Sequence, residues 1–277
     1  MKNIIIIGGD KRMEYLAEYL NNNGFNVQKY GFDGGITKTE LSEILFFCRV
    51  TIILPLPVSR DNENINMSKD YEYISFRFLE ERLKSGDKIF GGMIKPEIAE
   101  IFKEENVLVT DYYDEDFILK NAYVTAECIP EVIYENTEKP IENMKIAITG
   151  YGRTAKAIAA YLKPLGAKIL IAARNTESLI DASQCGYSVC ALSDVKCIAS
   201  GFDIIINTVP SLVIKENIIK ILTCKTTLID IASPPFGIDF YSAQKYGINA
   251  VKAQSLPGKY APKQAGYIIG EKLKLLL

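Results

Sequence analysis

Lys145-Ile-Ala-Ile-Thr-Gly150-Tyr151-Gly152-Arg153-Thr154-Ala155-Lys-Ala-Ile-Ala159 decides the fold. An apolar, β-branched run ends in Gly-x-Gly-x-x-Ala, and apolar residues at helical spacing follow at once. That order is strand, tight turn and helix N-terminus, the dinucleotide-binding fingerprint with alanine as its third small residue. Gly150 permits the turn, Gly152 lets backbone approach a pyrophosphate, and Ala155 lets the helix lie close to the sheet. The helix N-terminus then offers N–H groups and a positive dipole end to phosphates. The alternative is a tight βα turn that binds nothing.

Downstream, Ala167–Ala172 reads as the next strand and Ala173-Arg174-Asn175-Thr176 as the turn after it. An NAD site places Asp or Glu here to hold the ribose 2′-OH. This chain has Arg174, 22 positions after Gly152, followed by Asn175, Thr176 and Ser178. A guanidinium and hydroxyls suit a 2′-phosphate, so NADP is favoured over NAD; stacking of Arg174 on adenine is the competing role. Asp203–Ile206 is a strand ending in Asn207-Thr208-Val209-Pro210, a further cofactor-contacting segment. Thr227–Ile231 leads into Asp230-Ile-Ala-Ser233, and Asn249–Ala253 is the last strand. Ser255–Ala261 reads as a Pro-Gly loop, and Pro262 opens a final helix. Lys259 and Lys263 bracket its start, either as surface lysines or as partners for an anionic ligand.

The first half repeats this logic. Ile4–Ile7, Phe25–Tyr30, Val50–Leu54, Lys88–Phe90 and Val107–Thr110 read as strands. Helical patterns fall at Met13–Leu20, Leu41–Phe47, Tyr73–Leu83 and Pro96–Glu105. The expected fold is α/β, with two doubly wound parallel-sheet, Rossmann-like domains and a cleft between them. Residues 1–118 form the first domain, with helix 262–277 packing back on it. Residues 119–143 form a connecting helix and linker, which Pro130 kinks or restarts, and 144–257 form the nucleotide-binding domain. Strand ends are where ligands sit in such sheets. In the first domain they carry Gly8-Gly9-Asp10-x-Arg12, Pro55-Leu-Pro57-x-Ser59-Arg60 and Gly91-Gly92. Arg12 is either a surface arginine on a tight turn or a carboxylate partner. Arg60 stands in a polar loop and reads as solvated.

Composition narrows the chemistry. The 277 residues are 48% hydrophobic and 24% charged, with a net charge of −2, which excludes a broad nucleic-acid surface. No run approaches the roughly 18 apolar residues of a membrane span. The N-terminal apolar stretch is only Ile4–Ile7, so it reads as a strand rather than a signal peptide, in a cytoplasmic protein. Six cysteines are scattered without Cys-x-x-Cys pairing, so reduced thiols are expected and no metal site. There is no histidine, which removes Ser-His-Asp and Cys-His catalysis and the histidine base common in hydroxy-acid dehydrogenases.

Taken together, these motifs resemble the dipicolinate synthase A-subunit family of spore-forming bacteria. The resemblance rests on Gly8-Gly9-Asp10-x-Arg12, Leu54-Pro55 with Ser59, Gly150-x-Gly152-Arg153-Thr154, and Ala172-Ala-Arg174. It continues through Asn207-Thr-x-Pro210-Ser211, Asp230-x-Ala232-Ser233, Gly247-Ile248-x-Ala250, and Leu256-Pro257-Gly258-x-x-Ala261-Pro262-x-x-Ala265-Gly266. Phe236 stands where a glycine is expected and Gln264 where a threonine is. The resemblance implies NADP-dependent oxidation of a dihydro- or hydroxytetrahydro-precursor to pyridine-2,6-dicarboxylate. It also implies a second subunit similar to flavin-binding proteins and a mother-cell role in sporulation. A homo-oligomer is expected. Arg12, Ser59, Ser233, Lys259 and Lys263 are the candidates for holding the dicarboxylate. Two other readings stay open: a non-catalytic NADP-binding regulatory subunit, and a shikimate-dehydrogenase-like reductase.

Overall fold

The computed structural model describes residues 3–199 and 201–277. Met1, Lys2 and Ser200 lie outside them; the sequence reads as a helix over Leu192–Ser200, so the last residue of that expected helix is among those not described. The chain divides into two compact units, Met1–Asn121 with Ala261–Leu277, and Ala122–Tyr260.

The first unit holds β1 (Asn3–Ile7), α1 (Lys11–Asn22), β2 (Val27–Tyr30), α2 (Lys38–Phe47), β3 (Val50–Ile53), α3 (Phe76–Glu80), β4 (Lys88–Gly91), α4 (Pro96–Ile101) and β5 (Leu108–Asp111). The sheet order is β2-β1-β3-β4-β5, parallel throughout. Successive strand residues face opposite sides, so Ile4–Ile7, at most 1% exposed, must be covered on both faces. Helix starts follow local capping. Thr37 and Glu40 form a reciprocal capping box, which starts α2 at Lys38 rather than Leu41. Ser75 accepts from Phe78 N–H, so α3 begins at Phe76 instead of Tyr73.

α5 (Glu115–Glu127) and α6 (Ile129–Asn136) follow, with Pro130 in the first turn of α6. The second unit continues through β6 (Lys145–Thr149), α7 (Arg153–Leu162), β7 (Lys168–Ala173), α8 (Thr176–Gln184), β8 (Ser188–Ala191), α9 (Val195–Ala199) and β9 (Ile204–Asn207). Next come α10 (Glu216–Ile219), β10 (Thr227–Asp230), α11 (Phe240–Lys245), β11 (Asn249–Lys252) and α12 (Leu256–Tyr260). The order β11-β10-β9-β6-β7-β8 reverses direction between β9 and β6. That reversal is the topological switch point where parallel sheets bind ligands. α12 is one helical turn where a Pro-Gly loop was expected; Pro257 sits in its first turn, a position that tolerates the missing N–H.

α13 (Pro262–Lys274) belongs to the first unit and packs on α1. The contact is close because two positions lack side chains. A Cβ on Gly266 would lie 2.4 Å from Arg12 O, and one on Gly270 would lie 2.3 Å from the Tyr19 ring. Tyr19 and Tyr267 pack with ring centroids 5.3 Å apart, and Tyr267 Oη donates to Glu18 at 2.9 Å.

Candidate functional site

The fingerprint turn joins β6 to α7 at the switch point of the second sheet. Gly150 has φ +87°, and a Cβ there would come within 2.7 Å of Thr208 Oγ1 and 2.9 Å of Val209 Cγ2. Its side chain is absent for reasons internal to the fold. Gly152 differs. It is the N-cap of α7 at φ −81°, ψ −173°, which any residue adopts, and a Cβ there would meet no atom within 4 Å. No side chain caps α7 and no acid stands in its first turn. Its positive end therefore faces open space above Gly152, with Arg153 exposed and Thr154 half-buried at its start and Ala155 buried against the sheet. Tyr151 turns the other way: its ring is buried, edge-on to Tyr187 at 6.3 Å. Burial, then a bond to Cys185, pushes its hydroxyl pKa up. The Tyr151 side chain is thus core, leaving its backbone to the turn.

Arg174 follows β7. Its Nη2 donates to Ser211 Oγ at 2.8 Å, bridging to the loop after β9. Asn175 caps α8 by accepting from Ser178 N–H at 2.8 Å, and Thr176 is the first residue of that helix. A pocket of about 390 Å³ opens beside Arg174, lined also by Leu192, Ser193, Leu212, Val213 and Lys215.

Asn207 has a role other than the expected cofactor contact. Its side chain is fully buried. Oδ1 accepts from Thr149 Oγ1 at 2.6 Å and Val209 N–H at 3.1 Å; Nδ2 donates to Asp230 at 2.8 Å and Val209 O at 3.0 Å. With both donors and both acceptor sites used, it positions Thr208–Pro210 rather than reaching outward. Thr208 is likewise turned in, donating to Thr149 O at 2.7 Å. Asp230, to which sequence reasoning gave no role, anchors the network. It is fully buried and also accepts from Ala232, Gly237 and Ile238 N–H at 2.8–3.1 Å. A buried carboxylate needs such donors, and a strand-end Asp followed by small residues was the available signal. Beyond it, Ser233 is exposed and its carbonyl accepts from Phe236 N–H at 3.1 Å. Phe236 has φ +70°, the region a glycine occupies freely. Its ring meets Phe240 edge-on at 6.4 Å, and Lys252 Nζ lies 4.6 Å from its centroid.

In the first unit, the ends of β1 and β3 form the corresponding switch point. Arg12 is there, but it is engaged. Its Nε and Nη2 each donate to Asp10 at 2.8 Å, and Nη2 also donates to Leu56 O at 2.8 Å. The Arg12 side chain is only 11% exposed. Burial would raise the Asp10 pKa, but the bonds and charge of Arg12, helped by Arg60, outweigh it and hold the carboxyl below its ordinary range. Arg12, read from the sequence either as a surface arginine or as a carboxylate partner, is thus largely buried and already paired with a carboxylate of its own turn. Ser59 is also turned inward: Oγ lies 2.6 Å from Asn64 O and accepts from Asn62 N–H at 3.0 Å.

The two lysines part company. Lys259, in the second unit, meets Glu135 at 3.1 Å and bonds to Tyr260. Lys263, in the first, lies 3.9 Å from Glu18. Of the five residues expected to hold a dicarboxylate, Arg12, Ser59 and Lys263 fall in one unit, and Ser233 and Lys259 in the other. The fingerprint turn and the segments at Arg174–Ser178 and Asn207–Pro210 gather at the ends of β6, β7 and β9. Among the described residues, no group of three or more Cys, Asp or Glu is placed to hold a metal ion, and no helix is long and apolar enough to cross a membrane.

The model of the N-terminal domain of the dipicolinate synthase A-subunit matches residues 3–113. The NADPH-binding domain model of acetohydroxy acid isomeroreductase matches residues 140–252. The dipicolinate synthase A-subunit of Bacillus subtilis (strain 168) is 30% identical over 291 residues, spanning 99% of this chain and 95% of that protein. The chain belongs to the dipicolinate synthase A-subunit family. Two crystal structures from this family agree. The Bacillus halodurans protein matches at 28% identity with a TM-score of 0.86, over 99% of this chain and 97% of that one. The Bacillus subtilis structure matches at 29% and 0.83, over 99% and 95%. A transhydrogenase from Sinorhizobium meliloti, 14% identical over 98% of this chain and 92% of its own at a TM-score of 0.67, shares the fold. The family's expected glycine at 236 now has a conformational reason, because the backbone there is left-handed even with phenylalanine in place.

Proposed function

We propose that this chain binds NADP in its second unit and oxidises a dihydro- or hydroxytetrahydro-dipicolinate precursor to pyridine-2,6-dicarboxylate, with the first unit as substrate domain. Gly152 carries the nucleotide part. Nothing in the protein forbids a side chain there, so the constraint points to a molecule outside it, over an uncapped helix N-terminus. The match to an NADPH-binding domain model supports the same reading. Arg174, already oriented by Ser211, presents a guanidinium to the 2′-phosphate. The Thr208–Val209 backbone, fixed by Asn207, borders the other side of the turn.

When bound, the nicotinamide supplies a hydride acceptor. Oxidising a dihydropyridine ring releases one hydride and one proton, and the proton passes to water; a hydroxylated precursor also loses water. Aromatisation favours the product, so a histidine-free protein suffices. Its task is to hold the ring carbon in line, a positioning effect that lowers barriers by ~7–11 kcal/mol. The family's designation as one subunit of a synthase supports a second subunit, and we extend the reading to a flavin-protein-like partner and to a homo-oligomer in the mother-cell cytoplasm during sporulation.

Purified chain, precursor and NADP⁺ alone test the reaction, read as simultaneous ultraviolet absorbance of dipicolinate and NADPH. Absence of both signals until the second subunit is added would instead make this chain the nucleotide-holding subunit. Arg174→Ala should weaken NADPH far more than NADH; equal weakening would assign Arg174 to adenine.

A further inference from the structure

The segment between β3 and α3 forms a cavity that the roles above leave unused. Asp61 ties its outer end together, accepting from Glu63 N–H at 2.9 Å, Asn64 N–H at 2.8 Å and Asn64 Nδ2 at 3.0 Å. Its inner end lies on the first sheet: Asn66 O accepts from Gly9 N–H at 2.8 Å, and a Cβ on Gly8 would lie 2.9 Å from Met67 Cβ. The loop therefore sits over the end of β1, at the switch point where sheets of this order take ligands. Residues of this loop enclose a pocket of about 370 Å³ lined by Arg60, Asn64, Asn66, Met67, Lys69 and Tyr73. That is within the roughly 300–1,000 Å³ of small-molecule sites.

Its charges are unbalanced. Arg60 and Lys69 are exposed and, among the described residues, neither pairs with a carboxylate. Asp61, the one acid lining the pocket, keeps its charge but its oxygens accept from its own loop, so the lining carries two cations against one carboxylate. Asp10, the carboxylate that feels Arg60 from a distance, is already held by Arg12. Tyr73 leaves 46% of its surface open beside these cations. Two unpaired cations with a half-open aromatic ring match a flat molecule bearing two anionic groups.

We propose that this pocket binds a small planar dicarboxylate, with Arg60 and Lys69 each taking one carboxylate and Tyr73 covering the ring. The inference rests on the substrate class proposed above and moves the dicarboxylate contacts from Arg12 to Arg60 and Lys69. Titration calorimetry on the full chain tests it, using pyridine-2,6-dicarboxylate and the monocarboxylate pyridine-2-carboxylate, with NADPH as control. Arg60→Ala and Lys69→Ala, both at exposed positions, should each weaken the dicarboxylate about tenfold, the worth of one charge-assisted hydrogen bond. At least one of them should leave the monocarboxylate unchanged, and both should leave NADPH unchanged. Wild-type binding of the dicarboxylate that both variants retain in full would overturn this pocket while leaving the substrate class intact. A wild-type chain that binds NADPH but not the dicarboxylate would overturn both.

Discussion

Gly150 and Gly152 stand two residues apart in one turn, yet alanine should affect them in opposite ways. At Gly152 the backbone suits any residue and a Cβ touches nothing. Restricting the unfolded chain by Gly→Ala contributes about 0.4–1 kcal/mol of stability. Alanine is a poorer N-cap than glycine by a similar amount. The two nearly cancel, so Gly152→Ala should melt within about 0.5 kcal/mol of the parent, roughly 1–2 °C for a chain of this size. Its NADPH affinity should fall by at least about tenfold, or 1.4 kcal/mol, because the methyl occupies the space of the pyrophosphate. At Gly150 the left-handed backbone costs alanine about 1–2 kcal/mol, and contacts of 2.7 and 2.9 Å add overpacking. Gly150→Ala should therefore lose about 2–4 kcal/mol without any ligand. Thermal melts with and without NADPH, paired with a fluorescence titration, separate the cases. A Gly152→Ala chain that binds NADPH like the parent would refute the nucleotide reading of this turn. One that melts far lower would refute the claim that its side chain is absent on a ligand's account.

Asp230→Ala should cost about 3 kcal/mol or more in denaturant unfolding, since it strands the buried N–H groups of Ala232, Gly237 and Ile238 and the amide of Asn207. Gly270→Leu should destabilise the chain by about 1–3 kcal/mol by forcing α13 off the Tyr19 ring, read as a lower melting temperature. Hydrogen bonds from Asn64 and Glu63 hold the Asp61 carboxyl below its ordinary 3.8. The stability this gives is fully present above the unfolded value and is lost as pH falls through the folded one. Asp61→Asn should flatten the acid limb of stability measured from about pH 5 to about pH 2; an unchanged limb would show that the loop's bonds do not depend on this charge.

Most of the fold was legible because parallel strands covered on both faces leave unbroken apolar runs, as at Ile4–Ile7 and Ile204–Ile206. The capping box at Thr37–Glu40 was also legible in principle, as Thr-x-x-Glu, and it sets α2 three residues earlier than apolar spacing alone suggests. The fingerprint glycines could be found by pattern, but only coordinates separate one that the fold requires from one that it does not. Side chains at strand ends were the hard part. Asn207 and Arg12 have the chemistry of ligand contacts, and which way such a group faces depends on partners that spacing does not reveal. Asp230 claims the first from 23 residues downstream, whereas Asp10 claims the second from two residues away. Arg60 reads from the sequence as solvated for the complementary reason, since the loop that makes a pocket around it closes through Asn66 on Gly9.

The chain leaves the first unit once and returns to it, at Asn121 and Ala261. On a ribosome the two halves therefore mature out of order. The second unit is one continuous stretch and is complete once α12 has emerged. The first, begun earliest, must wait with the Gly266–Gly270 partner face of α1 uncovered until the final helix is made, some 240 residues after α1. Truncation just before Pro262 should therefore spare the nucleotide half and expose the other to proteases and aggregation.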